Sequence, residues 1–384
     1  MSIGRIAPPR DAGIEGVEAW SRSLAEPHSV WLERSDGSAD GGAVQTRLAR
    51  GIALAHVEPK FRLRSDDVFF CIGSCFVRAI EECLLCRDLQ VTSIGIRVAL
   101  EEAPHRLNGF LNKFTTASMQ NELLWSLAGV PFPDEALVDD GVGYHDLQLA
   151  YQLVPVPLER ARDRRNEVLA YFGRLREASV VIFTLGIVEV WYDRQTGIYL
   201  NVTPSWEMVR AHPGRFAVHS SDYGENLARL EAVYELLVRY GRPGVKMIVT
   251  VSPVPMHRTF TARDALVANG YGKSTLRAVA GDFVRGKPNA EYYPSYEIVT
   301  GSDRCLAYER DELHVDYSVV GAVTEDFLTR FGIEVDTANA DFREEWYLKA
   351  NPDVRAAVAQ LTFQSGYEHW LRSGRSEGRP LRPR

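Results

Sequence analysis

No apolar run in this 384-residue chain approaches the roughly 20 residues needed to cross a bilayer. The start, M-S-I-G-R-I-A-P-P-R-D, also lacks the apolar core of a secretory signal, so a cytoplasmic protein is expected. Cysteine is scarce and odd in number, 5 in all, which excludes a disulfide framework and points to a reducing compartment. Basic runs are missing too. With a formal net charge of −7, nucleic acid is excluded as the main ligand, and so is an electrostatic hold on anionic membranes. No histidine falls at zinc-finger spacing from Cys71, Cys75, Cys83 and Cys86, so neither a metal nor a tightly bound cofactor is expected. What is present, 45% hydrophobic and 25% charged residues, suffices for one large core and a small annex.

Chemistry concentrates at 68–78, V-F-F-C-I-G-S-C-F-V-R, where an apolar run ends at Gly73 and two potential nucleophiles, Ser74 and Cys75, follow. The run reads as a buried strand; Phe76, Val77, Ile80, Cys83 and Leu84 then recur at helical spacing. A strand, a glycine turn and a helix start lift the first side chains clear of a sheet, and the unpaired N–H groups there favour negative charge. The partner lies far away, in D-E-L-H at 311–314. Asp311 there can orient His314, whose other ring nitrogen takes a proton from the nucleophile.

The intervening chain alternates strands and helices. Strands are expected at 68–72, 91–96, 179–185 and 245–251, with a hairpin at 190–200 turning at Thr196-Gly197; helices are expected at 76–86, 118–127, 222–240, 262–283 and 318–331. This implies a mostly parallel α/β sheet covered on both faces, with ligands beyond the carboxyl ends of its strands, where Gly73 and Gly186 both fall. Residues 1–56 read as a lead-in, 57–333 as the main domain and 341–384 as a small helical module after a polar link at 334–341. The Pro-, Gly- and Asp-rich stretch at 129–157 reads as an insertion placed to roof the site. Gly272-Lys273-Ser274-Thr275 imitates the end of a phosphate loop, but Val267 stands where that pattern needs glycine, so nucleotide binding is rejected. No partner for His105 or His145 is readable.

The string I-G-S-C-F resembles the signature of the GSCFA family, which is similar to the SGNH or GDSL esterases and acyltransferases. N-K-F-T-T at 112–116, F-T-L-G-I-V-E-V-W at 183–191, V-T-V-S-P-V-P at 249–255, Y-G-K-S-T-L-R at 271–277, Y-Y-P-S-Y-E-I at 292–298 and D-E-L-H-V at 311–315 follow in the family's order. The resemblance implies a three-layer α/β/α, flavodoxin-like fold and covalent acyl transfer or ester hydrolysis. Laying G-S-C-F on G-D-S-L places Cys75 at the attacking position, with Ser74 the second candidate. The plain alternative has Cys75 facing the core and Ser74 capping the helix. Relatives carry G-x-N where this chain has Gly186, Ile187 and Val188. The oxyanion donors are therefore assigned to the backbone N–H groups of Cys75 and Gly186, with the Asn112 amide as a further candidate. Glu189 is a candidate to orient His314 or a substrate hydroxyl, or to form a plain ion pair, and His257 is a candidate substrate contact.

The tail supplies Trp346, Tyr347, Val354, Val358, Phe363, Tyr367, Trp370 and Leu371 for a minor aromatic core, with Gly374 and Gly378 ending the last helix. It resembles a module appended to bacterial proteins of surface-polysaccharide synthesis, which implies a carbohydrate acceptor or a docking role toward a protein partner. Two functions remain open. One is acyl transfer through a thioester or ester intermediate, with a coenzyme A thioester as candidate donor; the other is a noncatalytic saccharide-binding or scaffold role.

Overall fold

The run V-F-F-C-I is uniformly apolar because both of its faces are covered. In the computed structural model, which describes residues 14–32, 42–94, 101–102, 109–150, 153–334, 342–360, 362–363 and 365–383, strand β1 (Val68–Ile72) sends Phe70 and Ile72 into one core and Phe69 and Cys71 into another. Along the chain follow β2 (Gln90–Val91), the hairpin β3 (Leu137–Asp139) and β4 (Tyr144–Asp146), and β5 (Val180–Leu185). Next come β6 (Glu189–Asp193), β7 (Ile198–Tyr199), β8 (Phe216–Ser220), β9 (Lys246–Val251) and β10 (Ala290–Tyr292). The central sheet runs β10-β9-β5-β1-β2, and every neighbouring pair is parallel. Counted within that sheet the order is 2-1-3-4-5, the doubly wound flavodoxin-like order, whose switch point lies between β1 and β5.

The lead-in holds the short helices α1 (Gly16–Ala25) and α2 (Val44–Leu48). Around the sheet stand α3 (Cys75–Leu85), α4 (Thr116–Ser126), α5 (Leu158–Gly173), α6 (Trp206–Ala211), α7 (Tyr223–Tyr240), α8 (Ala265–Val284), α9 (Ser295–Gly301), α10 (Arg304–Ala307) and α11 (Tyr317–Arg330). Helices α3, α9 and α11 cover the Phe69 and Cys71 face; α4, α5, α7 and α8 cover the other. The tail forms α12 (Glu344–Ala350), α13 (Pro352–Ala359) and α14 (Gly366–His369) around Phe342, Tyr347, Val354, Val358 and Tyr367, seated on Cys86 past α3. Among the described residues no helix is long and apolar enough to cross a membrane.

Several expectations need correction. The strand expected at 91–96 is ordered into the sheet only at Gln90–Val91, and 95–100 lie outside the described residues. The hairpin at 190–200 gains a third strand, β8, paired antiparallel with β6. Helix α5 and strand β10 were not expected at all. Helix α5 turns Arg164 and Arg165 inward beside Val168 and Phe172, so charge hides its apolar period. In the tail, Trp346 and Leu371 are exposed rather than part of the core, and the link at 335–341 lies outside the described residues. Gly374 closes on Tyr347, where a Cβ would sit 2.0 Å from the phenolic oxygen.

Candidate active site

The elbow after β1 exists because residue 73 has no side chain: a Cβ there would lie 2.2 Å from Thr184 Oγ1. With β1 and β5 that close, the chain leaves the sheet at Gly73 and enters α3 at Cys75. Successive residues at a helix start point about 100° apart, and the two candidate nucleophiles part company. Ser74 occupies the N-cap position without making a cap; its hydroxyl is buried and meets Ser252 Oγ at 3.0 Å, at the end of β9. Cys75 is a free, partly exposed thiol, and it is the group that acts most strongly on the His314 imidazole.

His314 reaches the elbow on a short pinned loop. A bridge joins Tyr308 to Val315, the Asp316 N–H bonds to Ala307, and Tyr308 Oη donates to the Pro253 carbonyl at 3.2 Å, which ties the loop to the end of β9. Within it, Asp311 accepts the N–H groups of Leu313 and His314 at 2.9 and 3.0 Å and faces His314 Nδ1 at 2.6 Å. Nε2 is then the nitrogen left for sulfur. The imidazole is pushed up to about 9, first by the neighbouring Cys75 side chain and then, against burial, by Asp311. Asp311 is held down at about 2 by the His314 ring and the two backbone N–H groups. An imidazole that keeps its proton at neutral pH can hand it to a leaving group.

A strap at 112–114 crosses the carboxyl ends of β1 and β5. The Lys113 N–H donates to the Gly73 carbonyl at 2.8 Å and the Ile187 N–H to the Phe114 carbonyl at 2.9 Å. Gly186 permits this approach, since a Cβ there would lie 2.6 Å from the Phe114 oxygen. Asn201 clamps the strap from the far side, accepting the Phe114 N–H at 2.9 Å and donating to the Asn112 carbonyl at 2.8 Å. The 129–157 insertion buttresses it: Leu147 accepts the Asn201 N–H and Gln148 accepts the Lys113 ammonium. Lys113 also pairs with Glu122 at 2.5 Å in a buried cluster with Arg165 and Asp146.

The Ile187 N–H is consumed by the strap, whereas the N–H groups of Cys75 and Gly186 have no partner among the described residues. Asn112 is buried, and its side-chain oxygen is likewise unpartnered. The two open N–H groups border the elbow and can receive a developing oxyanion, whereas the Asn112 oxygen, an acceptor, cannot. Glu189 is not brought to His314 and forms no ion pair among the described residues. Its carboxylate accepts Thr259 Oγ1 at 2.6 Å and the Phe260 N–H at 2.9 Å, holding the loop after β9. His257, on that loop, is exposed. His145 has a partner after all, Asp140 at 2.6 Å, and His105 lies outside the described residues.

Cys71, Cys83 and Cys86 are buried, with thiols pushed up by burial, and they form no metal cluster among the described residues. The one group of ligand-type side chains that gathers among those residues is Glu26, His28 and His56, with ligand atoms within 4.8 Å. It was not read in the sequence because His56 joins the other two only through folding. Sequence reading met Lys273 only in the rejected phosphate-loop imitation and gave it no role at this site; it is fully buried in α8 with its ammonium donating to the Gly186 carbonyl at 2.8 Å.

No curated protein matches the chain. Among solved structures it is similar to a mutant of an acetyl-xylooligosaccharide esterase from Geobacillus Stearmophilus, at 14% identity, covering 71% of this chain and 98% of that one, with a TM-score of 0.30. The GSCFA family model matches residues 68–327, from the first residue of β1 into α11. With the elbow, the strap and the acid-histidine loop all inside that span, the chain belongs to the GSCFA family.

Proposed function

We propose that this protein is a covalent acyl-transfer enzyme, an esterase or acyltransferase, in which Cys75 is the nucleophile, His314 the acid-base group and Asp311 its orienter. The observation that carries this reading is the single imidazole bonded to Asp311 through Nδ1 and acted on most strongly by the neighbouring Cys75 side chain. In the first half-reaction the Cys75 thiol gives its proton to His314 as the sulfur attacks the acyl carbonyl and an S–C bond forms. The oxyanion is received by the Cys75 and Gly186 N–H groups. The bond to the leaving oxygen or sulfur then breaks as His314 gives it a proton. In the second, an incoming hydroxyl loses its proton to His314 and attacks the thioester, and the Cys75 sulfur leaves as thiolate.

A thioester retains enough reactivity to acylate an alcohol, which favours transfer over hydrolysis, with a coenzyme A thioester as donor. The tail's likeness to modules of polysaccharide-synthesis proteins supports a carbohydrate hydroxyl as acceptor. The test is intact-protein mass spectrometry after exposure to p-nitrophenyl acetate and to acetyl-coenzyme A. An acetyl adduct on Cys75 is expected. It should be absent in Cys75→Ala, unchanged in Ser74→Ala and formed roughly 10²- to 10⁴-fold more slowly in His314→Asn. An adduct that survives Cys75→Ala defeats Cys75 as the nucleophile, and one that forms at the same rate without His314 defeats the catalytic reading and favours a noncatalytic saccharide-binding protein.

A further inference from the structure

A buried lysine without a counter-ion is the least expected group near this site. Lys273 is 1% exposed, and its one hydrogen bond goes to a neutral carbonyl, that of Gly186. Among the described residues no carboxylate pairs with it, and the titratable group that acts on it is Cys75. Two of its three N–H donors have no partner there. Burying an ammonium so poorly compensated is costly, and a hydrophobic side chain of the same length would fill the space more cheaply. The local sequence nevertheless brings it in. Gly272 lets α8 come close to Val188, where a Cβ would already lie 3.2 Å from that side chain. The next residue then reaches the carbonyl at the end of β5.

We infer that Lys273 is a positioning residue for the Cys75 site: its ammonium anchors Gly186, whose own N–H stays open, through the peptide that Gly186 shares with Ile187, and places a positive charge near Cys75. The inference rests on the reading of Cys75 as nucleophile. Gly186 is the link. Its carbonyl shares a peptide plane with the Ile187 N–H, which the Phe114 carbonyl takes, so Lys273 and the strap together fix that plane on one side of Gly186, while the Gly186 N–H, in the preceding plane, stays open. Burial pushes the ammonium down to about 7 and Cys75 acts to raise it, so the charge is present below neutrality and fades as pH rises through about 7. The ionisable groups facing Cys75 are thus His314 from the loop before α11 and Lys273 from α8.

The test needs no acyl substrate. Alkylation of Cys75 by iodoacetamide is followed against pH by peptide mass spectrometry, with the exposed Cys305 as internal standard. Lys273→Met and Lys273→Gln remove the charge, Lys273→Arg keeps it, and circular dichroism checks folding. The neutral variants are expected to move the alkylation midpoint up by about one pH unit, with Lys273→Arg staying nearer the wild type. A wild-type midpoint in a folded neutral variant overturns the inference. Should neither neutral variant fold, His314→Asn carries the test. With Lys273 in place, Cys75 is expected to remain alkylated faster than Cys305 at pH 6.5 to 7, a probe range chosen about the lysine's titration. Equal or slower reaction overturns the role. Loss of the acetyl adduct in Cys75→Ala concerns the nucleophile itself, so the two ideas fail separately.

Discussion

Two charged clusters serve the same rim of the sheet in opposite ways. Under the strap, Lys113, Glu122, Arg165 and Asp146 are almost wholly buried, and each charge meets an opposite one. On the rim, the side chains of Asp311 and His314 are 47% and 48% exposed and form one local pair across three residues. Burial raises the cost of every unpaired state, so the first cluster is locked into one ionisation pattern and serves as a brace. Water keeps the second cheap to protonate and deprotonate, as a group that moves protons must be. Lys273 belongs to neither kind: it is buried like the brace and unpaired like a working group.

Breaking the brace has the largest expected effect. Glu122 is pushed up by burial but held below its ordinary range by Arg165 and Lys113. Glu122→Gln leaves two buried cations short of a partner and is expected to cost about 3–5 kcal/mol in urea unfolding. Equal stability of variant and parent would show that the cluster braces nothing. The acid-histidine pair should instead answer in rate. Asp311→Asn is expected to slow p-nitrophenyl acetate turnover on the order of 10²-fold with little change in unfolding.

The pH dependence follows in sign. The folded state raises His314 to about 9, so the proton it donates is present below that value and lost as pH rises through it. Asp311, lowered to about 2, withdraws its share only in strong acid. Wild-type turnover should therefore fall through an alkaline limb near 9, and Asp311→Asn should move that limb to lower pH; a limb that stays put removes Asp311 from the mechanism. The smallest effect is expected at Ser74. Ser74→Ala strands the Ser252 hydroxyl at a cost of about 1 kcal/mol, while the rate of Cys75 acetylation stays at the parent level.

Much of the site was legible because its parts are local. Gly73, Cys75 and the amphipathic face of α3 form one contiguous string, and the helix begins within one residue of the position that periodicity predicts. Asp311 and His314 are likewise joined by their own loop, with backbone and side-chain bonds spanning three residues. Strands β1, β5 and β9 were readable because a strand covered on both faces must be continuously apolar. Strand β10 was not: it spans Ala290–Tyr292 and carries a glutamate, too short to show a period. The bonds of Glu189 were not legible because a carboxylate after a strand does not announce its donors, and those of Thr259 and Phe260 come from a loop some 70 residues on.

By itself the sequence determined the elbow, the acid-histidine loop and the parallel sheet that carries them, since each is written in spacing, chirality and apolar period along a short stretch of chain. Only the tertiary structure decided that Ser74 turns to Ser252 while Cys75 acts on the imidazole, which N–H groups remain open beside them, and that a lysine in α8 stands without a counter-ion among the described residues at the end of β5. The reason is physical: burial and pairing are properties of surroundings, and those surroundings come from parts of the chain far apart in sequence.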